Sequence, residues 1–233
     1  MASKTLVFLG CNTAMQLFVD AASRQGLVVA GIMDSDYYGN TDVFAGLPVI
    51  GSEHEFEDPV KLAHLLSQYE FFIATNWSPD PAHTRDRTKR KQLIDVVLAH
   101  NIKCISLVDP QCYIGSNVTI GQGCYIGYNS YIEFDNIIGD FCIIHSDIGL
   151  SYGCTIGQNT IVRQRCGLAN ADVGNNVYIG TCTNMFTSSA RLVVGDDAVI
   201  NQGLWVMRSV ASNEHIRLTK DAIRTQRNYT DVS

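Results

Sequence analysis

The sequence predicts two units in tandem: a small parallel α/β domain over residues 1–107 and a parallel β-helix over residues 108–210, followed by a polar tail over residues 211–233. Two observations predict this. From Val108 an aliphatic residue recurs at every sixth position, through Ile114, Ile120, Ile126, Ile132, Ile138, Ile144, Leu150, Ile156 and Val162 to Leu168. Before Val108 the chain instead alternates short apolar runs with stretches of helical spacing.

A six-residue period fits neither a helix nor an alternating strand, but it fits a three-sided coil that takes three hexads, about 18 residues, per turn. Each aliphatic points inward, and the residue after it is often Gly, as at Gly115, Gly121, Gly127, Gly139 and Gly157, for a corner needing positive φ or close backbone approach. The fourth position after each aliphatic is small or medium-sized and holds Cys112, Cys124, Cys142, Cys154 and Cys166, so five of the eight cysteines read as small buried hydrophobes. Beyond Leu168 the rhythm slips by one residue to Val173-Gly174 and Ile179-Gly180. It resumes at Val194-Gly195 after an insertion, which makes Thr187 to Leu192 a candidate loop beside a site.

In the first unit, strands are expected at Thr5 to Leu9, Leu27 to Met33, Phe71 to Thr75 and Ile102 to Leu107. Helices are expected at Ala14 to Arg24, around Pro59 to Ser67, and around Arg87 to Ala99, with a hairpin-like stretch at Gly46 to Gly51. Ligands of such sheets bind at the carboxyl ends of the strands, here Gly10, Cys11, Asn12 and Thr13, then Asp34 to Asp36, then Thr75-Asn76. Gly-x-Gly-x-x-Gly is absent, which argues against a dinucleotide.

The chain has 233 residues, 46% hydrophobic and 17% charged, which excludes disorder. A net charge of −6 makes it a poor nucleic-acid binder, because affinity there comes from neutralising phosphates. No run approaches the length needed to span a bilayer, and the opening residues carry no cleavage pattern, so a cytoplasmic protein is expected.

The order of parts, with Gly46-Leu-Pro-Val-Ile-Gly51, Val108-Asp-Pro110 leading into the hexads, and Ile138-Gly-Asp-Phe141, resembles the nucleotide-sugar acetyltransferases, over roughly residues 4 to 207. That family includes UDP-4-amino-sugar N-acetyltransferases and sialic acid O-acetyltransferase-like proteins. The resemblance implies a Rossmann-like N-terminal domain that holds the nucleotide sugar and a left-handed β-helix that assembles as a homotrimer. It also implies acetyl-CoA lying between adjacent coils as co-substrate. The expected function is N-acetylation of a nucleotide-linked amino sugar. The alternatives are O-acetylation, transfer of another acyl group, or a non-catalytic protein that binds a nucleotide sugar.

The family motif runs from Ile-Gly-Asp-Phe to an Asn and then a His that deprotonates the nucleophile. Anchored on Ile138 to Phe141, the Asn falls on His145 and the His on Tyr152. The Gly whose N–H binds the thioester oxygen falls on Asn170, a residue type that tolerates the corner φ. One coil lower, the His falls on Phe134 and the Gly on Tyr152, so neither register restores the base. His145, the one histidine of the repeat, sits at a corner where its side chain should point outward, with Asp147 able to orient the ring. It is either a relocated base or a corner histidine without a role. Tyr152 is a hydrogen-bond donor in the cleft or a rung stacked on Phe134. Cys182 lies outside the inward pattern and reads as a packing residue.

Asp34 and Asp36 suit sugar hydroxyls, or form a solvated turn. One arginine of the cluster Arg85, Arg87, Lys89, Arg90 and Lys91 can reach a diphosphate, and Arg85 stands nearest the opening of the helix. Thr75-Asn76-Trp77 resembles the segment lining the nucleotide pocket. A γ-class carbonic anhydrase needs three histidines around zinc, which one repeat histidine does not supply, so no metal is expected. The Asn-Pro-Ala-Lys-like turn that closes the family's coil over the CoA tail is replaced by Arg208 to His215 running into a polar segment.

Overall fold

The computed structural model describes residues 5–80, 84–187 and 190–217. The N-terminal unit is a five-stranded sheet in the order β3-β4-β2-β1-β5, with strands β1 (Thr5–Leu9), β2 (Val29–Met33), β3 (Val43–Phe44), β4 (Leu47–Gly51) and β5 (Tyr69–Ile73). β4, β2, β1 and β5 are parallel, as expected, but the edge strand β3 is antiparallel to β4. Ala45 and Gly46 make this reversal with φ of 47° and 81°, the paired positive values that a two-residue hairpin turn requires. Ile102 to Leu107 is not a strand of this sheet. It contributes only a bridge from Phe71 to Cys104 before the first coil strand at Leu107–Val108.

Helix α1 (Gln16–Arg24) buries Phe18, Ala21 and Ala22, the spacing of one helical face. Helix α2 (Pro59–Gln68) starts at Asp58, whose carboxylate accepts from the N–H groups of Val60 and Lys61, with Pro59 in the first turn. Helix α3 (Thr84–Ala99) is polar in composition yet buries Lys89 and Arg90 beside Leu93, Ile94 and Val97.

From Leu107 the chain winds into three parallel sheets of six, five and seven short strands, each strand pairing with those one coil away. The aliphatics of the six-residue period from Ile126 to Leu168 are buried and form one core. The cysteines fill the remaining interior. Thiols of Cys112, Cys124, Cys142 and Cys166 donate to the carbonyls of Gly127, Gly139, Gly157 and Gly180 at 3.0–3.1 Å. The one-residue slip is real, since Ile156 pairs with Val173, and so is the later insertion, which pairs Ala171 with Leu192. The coil also runs past residue 210: His215–Ile216 pairs with Val199–Ile200, so the start of the presumed tail is a strand. Residues 218–233, and residues 188 and 189 of the inserted loop, lie outside the described residues.

The corner glycines are there for close approach. A Cβ on Gly157 would stand 2.5 Å from the carbonyl carbon of Gly174. Positive φ falls two residues later, on Asn117, Asn129, Asp135, Asp147 and Asn159 among others, the polar side chains that best tolerate the left-handed region.

The seven-stranded sheet faces the N-terminal unit. Tyr125, Ile143 and Ile161 pack there with Phe18 and Phe72, and Tyr125 meets Phe18 edge-on at 5.3 Å. Arg24 reaches the buried Asp109 at 2.6 Å. Arg90, wholly buried, holds the seam together. Its guanidinium donates to the carbonyls of Ile73 and Thr75 at the end of β5, to the Phe141 carbonyl at 2.5 Å and to Asn159 Oδ1 at 2.8 Å in the coil. Burial lowers its pKa to about 10, which still leaves it charged at neutral pH. We expect Arg90→Met to leave those acceptors unsatisfied and to cost at least about 3 kcal/mol, read as a lower urea midpoint; Arg90→Lys, without the planar fork, should recover only part of it.

Candidate functional site

The carboxyl ends of β1 and β5 meet one corner of the coil. Gly10, with φ of 71°, turns the chain so tightly that a Cβ would stand 2.5 Å from Leu93 Cδ1. Past this turn, Asn12 Nδ2 donates to the Asn76 carbonyl at 2.8 Å, and Asn76 Nδ2 lies 3.1 Å from His145 Nε2. Arg163, one coil above His145, brings Nη1 within 3.1 Å of the same ring nitrogen. Asn12, Asn76, Trp77, Ser78, Arg163 and Tyr178 line a cleft of about 260 Å³ between the two units.

His145 points out of the coil as expected, but onto the N-terminal unit and not into solvent; it is 3% exposed. The coil corner carrying it is covered by the loop after β5, so the ring is trapped against Asn76. Two donors converge on Nε2, which makes it an acceptor and puts the ring proton on Nδ1, a buried nitrogen with no partner among the described residues. Burial first, and then the Arg163 charge, push its pKa down to about 3. Nor does Asp147 orient it: Asp147 accepts from Asn129 Nδ2 at 2.6 Å, one coil below on the same corner.

Asp34 is 1% exposed and its oxygens are used within the fold. They accept from the Cys11 N–H at 2.9 Å, the Cys11 thiol at 3.4 Å and the Asp36 N–H at 2.9 Å, and pair with Lys89 at 3.0 Å. Burial and the Asp34 charge hold the Cys11 thiol protonated. Lys89 also binds Glu53 at 2.6 Å; burial works against its charge, but Glu53 and Asp34 hold its pKa above the usual lysine value. At the rim, Arg85 pairs with Asp36 at 2.6 Å and lies over the Tyr37 ring. Thr75 is buried, its hydroxyl unpartnered and its carbonyl bound by Arg90. Of the expected N-terminal residues, Asn12 and Asn76 line the cleft, while Asp34 and Cys11 build the loop behind it.

The remaining expected residues stand elsewhere. Tyr152 is 62% exposed and stacked on Phe134, ring centres 5.2 Å apart and planes within 4°. Asn170 takes φ of 52° as the corner requires, and its amide nitrogen holds the Ala190 carbonyl of the inserted loop at 3.2 Å. Arg163, Tyr178 and Arg90 were not singled out from sequence as part of the cleft. A signal for Arg163 existed: like His145 it occupies a position where neighbouring hexads carry Gly, one coil apart on the same corner.

The family described as bacterial transferase hexapeptide (six repeats) matches residues 99–133. No curated protein matches the chain. Among solved structures, the acetyltransferase domain of PglB from Neisseria gonorrhoeae in complex with acetyl coenzyme A is 16% identical, with a TM-score of 0.74 over 93% of this chain and 100% of that one. WeeI from Acinetobacter baumannii is 18% identical, with a TM-score of 0.72 over 91% and 96%. PerB from Caulobacter crescentus, in complex with CoA and GDP-perosamine, is 19% identical, with a TM-score of 0.56 over 91% and 92%. The resemblance read from the sequence is thus met by a shared fold, with hexapeptide repeats wound into a left-handed β-helix pattern. No helix among the described residues is long and apolar enough to cross a membrane.

The trapped histidine predicts an acid sensitivity. An unfolded histidine titrates near 6.5, so between that pH and about 3 only the unfolded chain takes up the proton, and stability falls as pH falls. From pH 6.5 to 5 this amounts to about 2 kcal/mol. Urea unfolding at both pH values should show that loss in the wild type and a correspondingly smaller one in His145→Gln.

Proposed function

We propose that the protein is an acyltransferase that moves an acetyl group from acetyl-CoA to the amino group of a nucleotide-linked sugar. The observation that carries this reading is the cleft in which Asn12, Asn76 and Ser78, beyond the ends of β1 and β5, face Arg163 and Tyr178 of the coil. A cleft at the carboxyl ends of a parallel sheet is where a nucleotide sits, and a guanidinium beside two amides suits a diphosphate flanked by hydroxyls. The shared fold with PglB, bound to acetyl coenzyme A, and with PerB, bound to CoA and GDP-perosamine, supports the same pairing of substrates.

In this reading the N-terminal unit is a Rossmann-like nucleotide-sugar domain. Gly10, Cys11 and Asp34 shape its loop, Asn12, Thr75 and Asn76 border the substrate, and Asp36 with Arg85 closes the rim. His145 acts through Arg163 and Asn76 as a positioning residue, because its basic nitrogen is already engaged. Asn170 and Tyr152 stand on the outer edge, where acetyl-CoA would lie between adjacent coils of a homotrimer. Exposed Ile137 and Val193 on the five-stranded sheet, with Met207, support such an assembly, since exposed apolar side chains on that face of a lone protomer call for a cover. Eight unpaired cysteines fit a cytoplasmic protein.

One observation favours a second reading, a nucleotide-sugar-binding protein without turnover: the two positions onto which the family base falls carry the stacked Phe134 and Tyr152. Thiol release with acetyl-CoA and a panel of UDP-, GDP- and dTDP-linked amino sugars separates the two. The acyltransferase reading expects turnover with at least one of them. It also expects Arg163→Ala to raise the KM for the nucleotide sugar about 10- to 100-fold with the KM for acetyl-CoA unchanged, as for loss of a charged hydrogen bond. His145→Ala should act mainly on the same KM, whereas a base would act on kcat. Binding of a nucleotide sugar without thiol release from any panel member would establish the second reading. Sedimentation should give the mass of three chains.

A further inference from the structure

The six-stranded sheet presents its outward side chains as a column, one per coil: Tyr113, Tyr131, Gly149, Gly167, Asn184 and Trp205. Tyr113 and Tyr131 stack at 4.6 Å, and Trp205 meets Phe186 edge-on at 5.7 Å. Between these aromatic ends two successive rungs have no side chain. Tyr131 and Asn184 are three inter-strand steps apart, about 14 Å at the usual spacing. The result is a groove of about 350 Å³, and a Cβ on Gly149 would meet nothing within 4 Å.

One charged residue lines this groove, Glu133. Its Oε2 accepts from the Tyr152 N–H at 2.9 Å, which fixes the carboxylate at the groove's edge beside Ser151. Among the described residues no cation pairs with it. A carboxylate without a counter-ion, set among electron-rich ring faces, is an arrangement that attracts an organic cation. Flat aromatic faces with a nearby amide and hydroxyl also suit a ring that carries C–H on its faces and hydroxyls on its rim.

We propose that this groove receives the amino sugar itself, with Glu133 pairing with the sugar ammonium and taking its proton. This rests on the acyltransferase reading and supplies the group that His145, Phe134 and Tyr152 do not. The ammonium gives one proton to Glu133. The neutral nitrogen then attacks the thioester carbonyl, the C–N bond forms and the C–S bond breaks. The nitrogen's second proton goes to the departing thiolate, and Glu133 returns its proton to water. The cleft and the groove flank the same sheet: Arg163 opens the corner that leads to Gly167, and Glu133 and Ser151 begin the corner beyond.

Two variants test this. Glu133→Gln keeps shape and removes the charge. Gly149→Val fills the open rung, and Gly149 has no positive φ and open space for 4 Å around the position of a Cβ. With the panel member that turns over best, each should lower thiol release at least 100-fold, the scale of a lost proton acceptor, with thermal midpoint and assembly mass unchanged. Turnover within about threefold of wild type in both variants overturns the proposal while leaving the acyltransferase reading intact. Saturation-transfer NMR with methyl glucosaminide and methyl glucoside reads the groove without any turnover. The amine should bind in preference, and Glu133→Gln should abolish that preference. Equal binding of the two by the wild type overturns the assignment of Glu133. A retained preference in a protein that releases no thiol would sink the acyltransferase reading and leave the ammonium site standing.

Discussion

The seam centres on one buried charge that has no counter-ion among the described residues. Arg90 carries its guanidinium among three carbonyls and one amide oxygen, drawn from the end of β5 and from two coil corners. A buried carboxylate would satisfy the charge more strongly, but it would fix only one point. The fork of five donors instead ties β5, α3 and the coil into one piece through neutral acceptors. Desolvation opposes the arrangement and is offset only when every acceptor is in place, so the seam forms with both units folded or not at all. The cleft beside it, between Asn76 and Arg163, inherits its geometry from that clamp.

How much of this was legible in the sequence follows from where each interaction lives. The coil was legible because its constraint is local and repeated: an inward aliphatic at every sixth residue is visible without knowing what it touches, and the slip at Val173 could be located to the residue. The alternation of the first unit was legible for the same reason, apart from its edges. β3 is too short for periodicity to register, and Ile102 to Leu107 has the composition of a strand but meets the open β5 edge only at the Phe71–Cys104 bridge before it turns into the coil. The site was less legible, because it joins residues far apart in the chain. His145 stands out in the sequence as the exception among glycines, but its burial does not. A bare coil would send that corner outward, and only the loop Thr75-Asn76-Trp77 lying over it turns the ring into a buried acceptor.

Arg163 and Arg90 illustrate two kinds of omission. Arg163 carried the same sign as His145, a large polar residue where glycine normally allows coils to approach, one turn away on the same corner. Considered as a pair, they mark the corner where the repeat gives up close packing for polar contact with the other unit. Arg90 carried no sign of its own. It sits in a run of basic residues whose ordinary fate is a solvated face, and α3 has so little amphipathic pattern that nothing in it distinguishes the buried arginine from exposed Arg87 and Lys91.

Glycine is the thread between the scaffold and the chemistry. At the first corner position it serves packing, since a Cβ there would run into the backbone of the next coil. At Gly167 a Cβ would stand 2.7 Å from Asn184 Oδ1, so glycine there makes room for that amide; at Gly149 it serves neither packing nor φ, since the residue lies within a strand, where β-branched or aromatic side chains are favoured, and has open space beside it. A strand position that gives up propensity without a conformational reason is one where a side chain would be in the way of something. Gly149 is such a position, and bounded by aromatic rings, the Asn184 amide and a carboxylate it leaves a vacancy the fold itself does not need. That vacancy is better explained by a ligand than by the coil.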